Sequence, residues 1–91
     1  MSGLVDSSLG VVSGSNDFSV QKAGNVPGFV RVNYDNPFDN YATVVVTVND
    51  PGNWNGNVTI RHQDLDHFII QITDLASTNQ DRAFSFIVVG E

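Results

Sequence analysis

From residue 29 onward, apolar residues recur at every second position, and no stretch of the chain shows the recurrence of an amphipathic helix. Alternation of this kind puts one face of a strand into a core and the other into solvent, so it commits the chain to sheet. Residues 29–34 place Val30, Val32 and Tyr34 on one face. Residues 42–48 set Ala42, Val44, Val46 and Val48 against Thr43, Val45 and Thr47. Residues 58–62 turn Val58 and Ile60 inward, residues 67–73 turn Phe68, Ile70 and Ile72, and residues 83–89 turn Phe84, Phe86 and Val88. Between these runs lie turn formers: an Asx-Pro cluster over 35–40, a loop over 49–57 in which every residue but Trp54 favours a turn, and polar segments over 63–66 and 74–82. Usage agrees, since Val, Thr, Asn, Asp, Ser and Gly dominate over Lys, Glu, Ala and Leu, the helix formers.

The first 27 residues are small and polar, with Leu9, Val11, Val12, Phe18 and Val20 as their apolar anchors. Only Phe18-Ser19-Val20 reads as a short strand. The expected organisation is an N-terminal arm or short edge strand over residues 1–27 and a β-sandwich domain over residues 28–91. The expected fold is all-β, a small antiparallel sandwich of about six strands with an extended N-terminal arm. Val45, Ile69 and Ile87 fall on strand faces opposite the core. They are either ordinary exposed apolar residues or a candidate oligomer interface.

Size and charge narrow the function. A chain of 91 residues without cysteine has no disulfide to staple it and no thiolate to ligate metal or attack a substrate. Ten acidic residues face only Lys22, Arg31, Arg61 and Arg82, for a net charge of −6. So few and scattered cations argue against nucleic-acid and anionic-membrane partners. No apolar run nears the roughly 20 residues of a membrane-spanning helix, and the start lacks the basic and apolar segments of a signal peptide. No nucleophile elbow is present, and a sandwich this small leaves little depth for shifting carboxyl pKa values, so no enzyme activity and no catalytic residue is expected. No cofactor is expected either.

Two groups of residues stand out as binding candidates. Trp54 is the sole tryptophan and sits in the most polar loop, where an exposed ring offers a stacking surface for the apolar face of a sugar. Its bland role is a lid over one end of the sandwich. Arg61, His62, Gln63, Asp64, Asp66 and His67 crowd one turn and supply the mixed donors and acceptors that hydroxyl-rich ligands need. Their bland role is a solvated hairpin end. His62, Asp64 and His67 are also of metal-ligating type, and Asp35, Asn36, Asp39 and Asn40 of calcium-ligating type, but both sets are more simply turn residues. No metal is expected.

Several segments taken together carry a resemblance. They are Val30-Arg31-Val32-Asn33-Tyr34, Asn36-Pro37-Phe38-Asp39 and the valine-rich strand 42–48, followed by His67-Phe68-Ile69-Ile70-Gln71-Ile72 and the final aromatic strand from Phe84 to Gly90 and Glu91. In this order, residues 28–91 resemble the C-terminal knob of phage tail fibres and the related H-type lectin domain. The resemblance implies a six-stranded sandwich that trimerises and a virion location after synthesis in the host cytoplasm. It also implies contact with host surface carbohydrate. Trp54, Arg61, His62, Asp64, Asp66 and His67 are the glycan-contact candidates on that reading. A capsid or tail decoration protein, attached to neighbouring virion proteins through the arm, is the alternative, and an H-type lectin-like sugar-binding module the second. The chain carries Phe86 where the lectins carry tryptophan, and it lacks the His-x-His of metal-bearing fibre tips.

Overall fold

The computed structural model describes residues 1–48 and 56–90. These form eight strands and no helix: β1 (Ser2–Val5), β2 (Val11–Gly14), β3 (Phe18–Lys22), β4 (Phe29–Tyr34), β5 (Thr43–Val48), β6 (Gly56–Gln63), β7 (His67–Asp74) and β8 (Phe84–Val89). They build two four-stranded sheets, in the order β2-β1-β8-β5 and β3-β4-β7-β6, with every pairing antiparallel. The expected antiparallel sandwich is therefore observed, with eight strands rather than six.

The inner faces are those the alternation assigns. Val30, Val32, Phe68, Ile70 and Ile72 from the second sheet meet Phe84, Phe86 and Val88 from the first, all essentially without solvent contact. Phe86 is the hinge of this layer, edge-on to Phe18 at 4.8 Å and to Phe68 at 5.6 Å. Such T-shaped pairs add about 0.5–1.5 kcal/mol beyond the area they bury. Ile60, expected to turn inward, stands opposite the buried Ile70 but is 39 % exposed, because β6 is an edge strand.

Residues 1–27, expected to form an arm or a short edge strand, hold three strands, of which β2 and β3 stand at sheet edges and β1 does not. Strand β1 lies between β2 and β8, with Ser2 to Val5 paired to Ile87 to Phe84, and Val5 is fully buried. Its central residue, Gly3, faces Phe86 across the ladder, and a Cβ there would sit 2.5 Å from Cζ of Phe18. The missing side chain is the space that the Phe18 ring fills. Four-residue strands containing a glycine carry too few apolar residues for alternation to register; β1 is held by β8, far along the chain, and β2 by β1. The return from β1 to β2 is set by Asp6, whose carboxylate accepts the Ser8 and Gly10 amides at 2.9 and 2.8 Å.

A second junction ties the loop before β4 to the loop before β8. Gly28 adopts φ +83°, and a Cβ there would lie 2.5 Å from the Ile72 carbonyl oxygen. Its amide donates to Asp81 Oδ1 at 2.8 Å, its carbonyl accepts the Ile72 amide at 2.9 Å, and Lys22 Nζ pairs with Asp81 Oδ2 at 2.9 Å. The Gly28 amide bond, helped by Lys22, holds the Asp81 carboxyl below its ordinary range against the opposing effect of burial. A carboxyl whose folded pKa is depressed stabilises the fold above its unfolded value of about 3.9 and loses that contribution as pH falls through the folded value. Asp81→Asn is therefore expected to cost about 1 kcal/mol at pH 7, the scale of a charge-assisted hydrogen bond on a partly exposed group. Urea melts at neutral pH and near pH 3 check this: the gap between the two proteins should close in acid.

Candidate functional site

Register sets the site. On the outer face of the second sheet, Gln21 pairs with Arg31, Arg31 with Ile69, and Ile69 with His62, so one row of side chains crosses all four strands. The last member joins this row because of a β-bulge. Pairing runs regularly to Ile60 opposite Ile70, then resumes with His62 opposite Ile69, leaving Arg61 as the extra residue. Without that insertion His62 would stand opposite Phe68 and face the core. The bulge sends the imidazole outward and brings Gln63 opposite Phe68 instead, where its Nε2 donates to the Ala42 carbonyl just before β5.

Around this row the sheet forms a groove of about 590 Å³. Phe29 and Ile69 give it apolar surface, and Lys22, Arg31, Arg61 and His62 give it donors. Arg31 is positioned by its neighbours: its Nε donates to Asn33 Oδ1 at 2.6 Å, and Asn33 Nδ2 donates to Gln21 Oε1 at 3.1 Å. The terminal guanidinium nitrogens of Arg31 have no hydrogen-bond partner among the described residues, and no carboxylate there makes an ion pair with Arg31 or Arg61.

The groove adjoins the β6–β7 hairpin end. His67 continues the outer face, opposite Asn33, but it is only 8 % exposed. The His62 ring lies over it, centroid to centroid 5.2 Å, and the Nδ1 of His67 is 2.7 Å from Asp66 Oδ1. That bond is the first cause of the lowered pKa of the exposed Asp66, with the charge of Arg31 a smaller contribution. Asp64 completes the turn, accepting the Leu65 amide at 2.7 Å, and its carboxylate is 3.9 Å from His62 Nε2. Beneath the hairpin, burial and then the Asp66 charge push the Tyr34 hydroxyl up to about 12. That hydroxyl has no hydrogen-bond partner among the described residues.

The structure thus gathers five of the six glycan-contact candidates around one hairpin. Arg61 and His62 belong to the groove, Asp64, Asp66 and His67 to the turn, and His62 joins the two. Trp54 lies outside the described residues. One ligand atom from each of Asp64, Asp66 and His67 fits within 4.8 Å of the others, a cluster already satisfied by the His67–Asp66 bond. Asp35 and Asp39 join no such cluster among the described residues. Val45 and Ile87 are direct cross-strand neighbours on the outer face of the first sheet, more than half exposed, with Val89 beside them. Ile69 stands on the other sheet, inside the groove, so the three form no common patch.

Sequence reasoning missed Gln21, Lys22, Phe29 and Arg31 as site residues. Arg31 carries the one usable signal, a cation at an outward position of a strand whose inward residues are Val30, Val32 and Tyr34. Its meeting with Arg61, 30 positions away, follows only from strand order. No model of a known protein family matches the chain, and neither does any curated protein or solved structure.

Proposed function

We propose that the chain is a carbohydrate-binding module of a virion, the receptor-binding knob of a viral fibre, acting as a homotrimer on host surface glycans. The observation that carries the binding part is the groove. An aromatic and an aliphatic side chain lie among fixed hydrogen-bond donors, the combination that holds a sugar ring by its apolar face and its hydroxyls together. The donors sit on strands rather than on loops, so little ordering entropy is lost when a ligand arrives. Three copies on one axis would turn weak single-site affinity into firm attachment. The virion assignment is supported by the resemblance of residues 28–91 to fibre knobs.

A glycan array tests this reading. The wild-type chain is expected to retain a defined set of glycans, and the Arg61→Ala, His62→Ala double variant to lose at least about tenfold in affinity for them. Both side chains are exposed, so the variant should melt with the wild type. An array without specific hits removes the glycan reading.

A second reading, a capsid or tail decoration protein, is favoured by the outer face of the first sheet. Thr43, Val45, Thr47, Ser85, Ile87 and Val89 make an uncharged surface on a chain of net charge −6. Attachment through a free N-terminal arm does not fit the strands that residues 2–22 form, so such a protein would dock by this sheet face. It would bind no glycan, and the array separates the two readings.

A further inference from the structure

We infer that the groove on the second sheet is an anion subsite, built for the carboxylate, sulfate or phosphate group of an acidic saccharide. This deepens the glycan reading and, for the sugar part, rests on it. Among the described residues nine line the groove, and they include three of the chain's four Lys and Arg and no Asp or Glu. In a protein with ten acidic residues, that segregation creates a local field opposite in sign to the net charge.

The cations differ in what they have left to offer. Lys22 is neutralised by Asp81 at 2.9 Å and serves the fold. Arg31 spends only Nε on Asn33, and that bond fixes the plane of its guanidinium beside Ile69. Arg61, the extra residue of the bulge, also lines the groove, and it makes no ion pair among the described residues. Two guanidinium groups presented from β4 and β6, on either side of β7, give forked donors that match the oxygens of a carboxylate, sulfate or phosphate. His62 adds a further polar group on the same row. The apolar surface of Phe29 and Ile69 lowers the local dielectric and strengthens each of these contacts. Arg31 already interacts electrostatically with the exposed Asp66, and an anion would supply the ion-pair partner that neither guanidinium has among the described residues.

The test uses titration calorimetry, and NMR of arginine side-chain signals, on the full chain. The probes are an oligogalacturonate, a sulfated heparin hexasaccharide, neutral maltohexaose and sodium sulfate. The expected result is that one charged saccharide binds at least about tenfold tighter than the neutral one. Its affinity should fall steeply between about 50 and 300 mM salt. Arg31→Gln and Arg61→Gln should each lower that affinity about tenfold, while Arg82→Gln, which removes the same charge away from the groove, should leave it unchanged. The uronate and sulfate arms tell which anion the site takes. Sulfate moving the Arg31 and Arg61 signals without any saccharide binding would keep the anion subsite and defeat the glycan reading. Equal binding of charged and neutral saccharides would overturn the anion subsite and leave the glycan reading standing. Equal loss in all three variants would also overturn it, since net charge alone would then explain the affinity.

Discussion

Removal of residues 1–14 is expected to abolish the cooperative fold. The truncation takes away β1 and β2, and the first sheet is left with β8 and β5 alone. A two-stranded ribbon is marginal in water, and here it would also have to cover the inner face of a four-stranded sheet. The loss has three parts. Val5, fully buried, takes about 1.5–3 kcal/mol of burial energy with it. The ladder from Ser2 to Val5 against Ile87 to Phe84 disappears, so the backbone groups of β8 on that side lose their partners. The Phe18 ring loses the shelf at Gly3 on which it meets Phe86. Together these reach the 5–15 kcal/mol that a domain has in total. Thermal melts by circular dichroism, with amide dispersion in NMR, measure it. A truncated chain that still melts in one sharp step would show that β1 is dispensable after all, as a free arm would be.

The second large effect is expected at Phe68, where substitution by alanine should cost about 3–5 kcal/mol. The side chain is completely buried, and it lies between Tyr34, 6.1 Å away, and Phe86, 5.6 Å away. Those neighbours belong to opposite layers, since Tyr34 sits on β4 and Phe86 on β8. The cavity left by Phe68→Ala would thus open in the seam between the sheets, where neither can collapse without losing its own ladder register. Ile69→Ala, one residue along and on the outer face, provides the comparison and should cost less than half as much. Chemical denaturation of both proteins tests the pair. Equal losses at the two positions would mean that the seam of the sandwich is not where stability is concentrated.

On the proposed reading, trimer formation and glycan contact would fall to different sheets. The uncharged outer face of β5 and β8 and the basic groove lie on opposite sheets. Self-association through the first sheet would leave the second facing outward, which is the disposition a receptor-binding knob requires.

The sequence alone settled the fold class, because a period of two in apolar residues is a property of a single strand and needs no partner to be read. It gave the inner faces of β4, β5, β7 and β8 for the same reason, and it marked the hairpin at residues 61–67 by the density of its polar side chains. Alternation does not say which strand lies beside which, so Arg31 and Arg61 look scattered until β4, β7 and β6 are set side by side. Nor does it survive an inserted residue: strict parity from Val58 and Ile60 would bury His62, and the bulge at Arg61 reverses that. Strands β1 and β2 were invisible for a third reason. Their few apolar residues are too short a run to alternate; β1 is held by Phe18 and by β8 from elsewhere in the chain, and β2 by its pairing with β1. What a strand is made of is local, and the sequence carries it. Which side chains meet across strands depends on register and order, and only the packed sandwich fixes those.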